Sequence, residues 1–152
     1  MKKLFVCLIC FAVFVPFVAA VAADFGKPED AIEYRKAAMS LMGTHFKGMA
    51  AVIKGEKPYD KEAFAVEARL FDTLFSLPWE AFAVLGSEKG DTTMTAAALE
   101  QPDKFKAETE QFQTAVKGYI SAAESGDLGA VKSAFGQVAK TCKSCHEAFR
   151  KK

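Results

Sequence analysis

From residue 28 onward, apolar side chains return at alternating steps of three and four, the spacing that lines one face of an α-helix. The first such stripe is Ile32, Arg35, Met39, Met42, Phe46, Met49 and Ile53, with Arg35 its one charge. Pro28 suits the first helical position, Glu29 and Asp30 suit the positive end of the helix dipole, and Gly55 supplies a stop. A helix is therefore predicted from Pro28 to about Lys54. Asp60 is an N-cap for a second helix carrying Phe64, Ala68, Phe71, Leu74 and Phe75, which Pro78 ends near Leu77. Trp79 to Leu85 reads as a short apolar turn, and Gly86 to Thr95 as the one long loop. A third helix is predicted from Pro102 to Ser125, its start reaching back at most into Ala96–Leu99. Its stripe is Phe105, Phe112, Ala115, Val116, Tyr119 and Ala123, stopped by Gly126. A fourth begins after Asp127 with Leu128, Val131, Phe135, Val138, Cys142, Cys145 and Phe149 on its apolar face. No stretch alternates with period two long enough to read as a strand.

The fold class expected is all-α: four helices with short connections, which favour an antiparallel up-down-up-down bundle. In that topology the first and third helices run parallel and both oppose the fourth. The C-terminal end of the fourth then lies beside the N-terminal half of the first. Arg35 and Met39 come to the level of Cys142 and Cys145.

Residues 1–23 stand apart. Met1-Lys2-Lys3 is a short basic start, Leu4 to Val18 is uncharged and apolar, and Ala19-Ala20-Val21-Ala22-Ala23 offers small residues for cleavage. This is the pattern of a secretory signal peptide, too short and wrongly flanked for a membrane span. The expected cut follows Ala23, or Ala22, leaving residues 24–152 as one exported, periplasmic domain with no membrane span. Losing the leader removes two lysines and no acid, so the net charge falls from +1 to −1. Neither a basic patch for nucleic acid nor a polybasic run for anionic lipid remains. Cys7 and Cys10 leave with the leader, so Cys142 and Cys145 are the cysteines of the mature chain.

Those two cysteines are followed directly by His146. C-x-x-C-H is the attachment signature of c-type haem. Each thiol adds across one vinyl group of the porphyrin, a two-residue spacer brings both to one ring edge, and the next residue places an imidazole at the iron. A disulfide between the two thiols is the competing reading in an oxidising compartment. The adjacent histidine and the absence of a thioredoxin-like βαβ pattern weigh against it.

The haem signature near the C-terminus, the leader and the four amphipathic helices resemble the cytochrome c′ family. Four stretches carry the resemblance: Lys27–Arg35 (K-P-E-D-A-I-E-Y-R), Lys54–Asp60 (K-G-E-K-P-Y-D), Leu77–Phe82 (L-P-W-E-A-F) and Cys142–Arg150 (C-K-S-C-H-E-A-F-R). The resemblance implies haem c bound through Cys142 and Cys145, with His146 as proximal iron ligand and Arg150 bordering the proximal side. It implies that Arg35 lies near a haem propionate, that Met39 packs over the distal face of the iron, and that Trp79 and Phe82 line the pocket. It also brings the loop before the third helix to the haem. Residues Asp91–Leu99 depart from the family's usual Pro-Glu-Ile-Trp wording, with Thr95 placed at the contact.

Two functions follow from the resemblance. In the favoured one the iron is five-coordinate and takes nitric oxide or carbon monoxide, Met39 acting as an apolar gate, with one-electron redox capability. In the alternative Met39 ligates the iron and the protein is a low-spin electron-transfer cytochrome with a redox protein partner. Neither is enzymatic, since a haem peroxidase needs distal acid–base groups. His45 lies off the seam, on a flank with Leu41 and Val52 that suits a homodimer contact.

Overall fold

The computed structural model describes residues 23–152, and the leader reading lies outside them, apart from Ala23. Helix α1 spans Pro28–Ile53, α2 Lys61–Phe75, α3 Ala97–Glu100, α4 Pro102–Ser125 and α5 Leu128–Phe149, with a 3₁₀ turn at Glu80–Phe82. The four long helices are those the stripes predict, to within two residues at each end. The third stripe divides at its start. Ala97–Glu100 forms its own turn and Pro102 opens α4, because a proline favours a first helical position and disfavours helix in the residue before it.

The ends follow from local chemistry. Asp60 accepts the Ala63 N–H at 2.8 Å, and Asp127 accepts those of Gly129 and Ala130 at 2.7 and 3.1 Å. Gly126 stops α4 in the left-handed region at φ 76°.

Helix α4 packs broadly on both α5 and α2, and α2 packs on α1, whereas α1 and α5 come close at only a few positions. The main core holds Met42, Met49, Phe64, Phe71, Phe112 and Tyr119 among its buried members. Enclosing a side chain such as Phe71 or Met49 contributes about 1.5–3 kcal/mol. On α1 the burial differs in detail from the stripe. Ala31 and Ala38 are buried, while Met39, Phe46 and Ile53 are half-buried at the margin of the core.

A second, smaller apolar cluster caps one end of the bundle. Met94, Ala98 and Phe149 are buried there, with Phe82, Phe105 and Cys145 packed against them. The loop reaches this cluster by pairing with the end of α5. Thr95 N–H donates to Phe149 O at 2.9 Å, and Lys151 N–H donates to Thr93 O at 2.7 Å. No helix among the described residues is long and apolar enough to cross a membrane.

Candidate functional site

The two thiols sit on α5 on either side of a boundary. Cys142 packs against the main core, in the cluster that includes Met39, Phe46 and Trp79. Cys145, one turn further, packs against the end cluster with Phe82 and Phe105. Ring contacts join the two clusters. Trp79 stacks on Phe82 at 6.1 Å, and Phe105 meets Trp79, Phe82 and Phe149 at 6.4, 5.2 and 5.3 Å. Trp79 Nε1–H donates to Phe75 O at 2.7 Å, so the indole presents only carbon to its neighbours.

Antiparallel register places Met39. Phe46 of α1 stacks on Phe135 of α5 at 4.0 Å, nearly parallel. One heptad up α1 from Phe46 is Met39, and one heptad along α5 from Phe135 is Cys142. Met39 and Cys142 both pack at the margin of the main core.

Both cysteines are free, and burial pushes each thiol up to about 11, assisted by its partner's charge at Cys142 and by Glu108 at Cys145. At neutral pH the thiolate fraction is therefore small, which slows attack of one thiol on an oxidised partner. Ser144, between them, donates to Glu108 Oε1 of α4 at 3.0 Å and fixes that turn of α5 against its neighbour.

His146 is more exposed than the thiols. It opens on a cleft of about 610 Å³ shared with Cys142, Glu147, Arg150 and Lys151. Partial burial, and then the charge of Arg150, hold its pKa below the ordinary histidine value. Both effects favour the neutral ring, the form in which an imidazole nitrogen binds a metal.

His45 points elsewhere. It pairs through Nδ1 with Glu67 of α2, on the α1–α2 side of the bundle. Among the described residues no three His, Cys, Asp or Glu side chains converge on a metal-binding point.

Arg35 is 4% exposed. Its Nη1 donates to Ala81 O and Ser87 Oγ at 2.6 and 2.7 Å, and its Nη2 to Ser87 O and Thr92 Oγ1 at 2.6 and 3.3 Å. The guanidinium also lies 5.1 Å from the centre of the Phe82 ring. The four hydrogen bonds of the two terminal nitrogens go to acceptors of the protein, and the place beside a haem propionate stays what the resemblance implies for Arg35. Thr95 Oγ1 is enclosed and has no hydrogen-bond partner.

Taken together the residues fit a flat apolar group with a polar edge. Two thiols one turn apart straddle two aromatic clusters, an imidazole adjoins them, and an unpartnered hydroxyl lies in the segment paired with the end of α5. A family model described as Cytochrome C′ matches residues 30–150. The chain belongs to the cytochrome c′ family. It is 41% identical over 129 residues to a cytochrome c′ of Alcaligenes xylosoxydans xylosoxydans, covering 85% of this chain and 99% of that one. Among solved structures it is similar to a nitric oxide complex of a variant of cytochrome c prime from Alcaligenes xylosoxidans (40% identity, TM-score 0.80, 85% of this chain and 99% of that chain). A carbon monoxide-bound variant from the same source matches at 40% identity and TM-score 0.80, over 85% of this chain and all of that one. Membership of the cytochrome c′ family makes haem c the cofactor, attached covalently through cysteine, and Cys142 and Cys145 are the free cysteines among the described residues.

Met94 is the residue that periodicity did not single out. It is buried in the end cluster beside Cys145 and bridges to Arg150. It lies in a loop, where no helical or strand period marks it. The only available hint was a lone methionine among threonines.

Proposed function

We propose that this protein is an exported, periplasmic haem c protein that takes nitric oxide or carbon monoxide at the face of the iron beneath Met39 and carries single electrons. The observation that carries this reading is the register set by the Phe46–Phe135 stack, which puts Met39 on α1 and Cys142 on α5 one heptad beyond it, both at the margin of the main apolar core. A thioether and rings there offer little to a polar ligand, since the one indole N–H is given to Phe75. Apolar surroundings suit nitric oxide and carbon monoxide, which bind ferrous haem without a hydrogen bond, better than dioxygen. The nitric oxide and carbon monoxide complexes of the relatives point the same way.

The haem supplies an iron for ligand binding and a one-electron change. Cys142 and Cys145 would hold it, His146 would give an imidazole nitrogen to the iron, and Arg150 lies one turn beyond His146. Met39 would exclude water from the ligand side and would have to move to admit a ligand. His45 pairs with Glu67 on the α1–α2 side, which supports a binding and electron-carrying role over peroxidase-type chemistry.

A second copy pairs through α1 and α2. Leu41, Val66 and Leu70 are 47%, 59% and 42% exposed on that side, beside the His45–Glu67 pair. Val52, assigned to this face from sequence, packs partly into the core. A redox protein partner reads the basic rim of Lys143, Arg150, Lys151 and Lys152 around the cleft of His146.

The test is the absorption spectrum of purified ferric and ferrous protein, with and without nitric oxide. Broad high-spin bands that change on adding nitric oxide are expected. A sulfur-to-iron charge-transfer band in the ferric protein would instead establish the electron-transfer alternative, in which the Met39 thioether, level with Cys142, is an axial ligand.

A further inference from the structure

Helices α1 and α5 flank the site yet touch at few points. The segment from Ala81 to Thr95 connects them across the end of the bundle. On its α1 side it is held by one buried cation. Arg35 binds the start of the segment at Ala81 O, its middle at Ser87, and its far part at Thr92 Oγ1. Ser87 is fully enclosed, which fixes it as an anchor rather than a surface contact. Lys36, next along α1, pairs with Asp91 on the outer surface of the same segment.

On the α5 side the bonds continue from Thr92 itself. Thr92 Oγ1 accepts the Met94 N–H at 3.2 Å, and Thr92 O accepts from Lys151 Nζ at 3.1 Å. Thr93 O takes the Lys151 N–H and Thr95 N–H meets Phe149 O, as above. An unbroken set of hydrogen bonds therefore runs from α1 through Thr92 to the residues just after His146. Arg35 also sits over Phe82, which, like Cys145, packs against the end cluster.

We propose that Arg35 is a positioning residue that locks the Ala81–Thr95 segment as a strap over the haem edge, and that strap closure sets how fast small ligands reach the site. The electrostatics are consistent with a clamp. A buried guanidinium is costly unless its donors are met, and each acceptor here belongs to the strap. Glu88, also in the strap, is the acidic group whose field offsets the cost of burying Arg35. Opening the strap would take all four of these acceptors from the guanidinium, so closure is the favoured state.

The second half of the proposal rests on the gas-binding reading; the clamp itself does not. The experiment uses haem-loaded protein in four forms: wild type, Arg35→Lys, Thr92→Val and Ser87→Ala. Amide hydrogen exchange is followed at Thr95 and Lys151, and carbon monoxide association with the ferrous protein by flash photolysis. Exchange at both amides should quicken at least about tenfold in Arg35→Lys and Thr92→Val, with α2 and α4 unchanged. The association rate should rise in the same order of variants. Unchanged exchange at Thr95 and Lys151, or exchange that quickens equally in every helix, overturns the clamp. Local quickening with a constant association rate overturns strap control of access. Local quickening in a protein that binds no carbon monoxide keeps the clamp and removes the gas-binding reading. Ser87→Ala and Thr92→Val keep the test available if Arg35→Lys does not fold.

Discussion

Tyr119 carries a hydroxyl into the closed centre of the bundle, where it donates to the Met49 sulfur at 2.8 Å. Sulfur is a weak acceptor, so this bond adds little at neutral pH. Its effect appears in alkali. Burial first, then the charge of Glu67, raises the phenol pKa above its ordinary value of about 10. A group whose folded pKa is raised keeps its full stabilising effect below the unfolded value and loses it as pH rises past that value. Stability of the wild type should therefore fall from about pH 10 upward. Tyr119→Phe should change urea stability at pH 7 by less than ~1.5 kcal/mol and flatten the alkaline slope. A slope unchanged by the substitution would place the alkaline transition elsewhere. At Met39 the corresponding residue-scale test is steric. Met39→Leu should leave the ferric spectrum unchanged, and Met39→Ala should speed carbon monoxide association about tenfold, equivalent to ~1.4 kcal/mol of barrier. A switch from low-spin to high-spin bands in Met39→Leu would mean that the thioether is a ligand.

The elements end where single residues make them end. At Gly126 the backbone turns left-handed, and a Cβ there would lie 2.3 Å from Cδ of Lys61. The lysine side chain can move aside, but the positive φ is disfavoured for alanine. Gly126→Ala should lower the urea midpoint by the equivalent of about 1–2 kcal/mol without changing the haem spectrum. These signals are local, which is why Gly55, Asp60, Gly126 and Asp127 could be read directly as stops and caps. The pairing of Met94 with Arg150 was not legible in that way. It depends on contact between residues far apart in the chain, and a loop has no period to announce it. Arg35 was legible as a charge in an apolar seam, but its acceptors lie 46 to 57 residues away and no local pattern names them. His146 could be placed next to the thiols by spacing alone. Its greater exposure depends on which neighbours α5 packs against, which spacing does not specify.

At the scale of the whole molecule, the bundle is unevenly joined. Helix α4 ties α2 to α5 along broad faces, and α1 is tied firmly only to α2. Against α5, α1 has the Phe46–Phe135 stack at mid-height and, at the haem end, the strap held by Arg35. The Met39–Cys142 level lies between these two ties. Phe135→Ala removes the lower one and should cost about 3 kcal/mol, near the low end of phenylalanine truncations because Phe135 is only half-buried. The expected consequence is also a loss of cooperativity. In wild type, the haem absorbance and the helical circular dichroism should fall together through a urea titration, as a two-state bundle requires. In Phe135→Ala, α1 has only the strap to hold it against α5, while α2, α4 and α5 keep their mutual packing. Haem absorbance should then change at lower urea than the dichroism. If the two probes still coincide and only the midpoint drops, the strap alone suffices to couple α1 to α5, and the stack contributes stability without cooperativity.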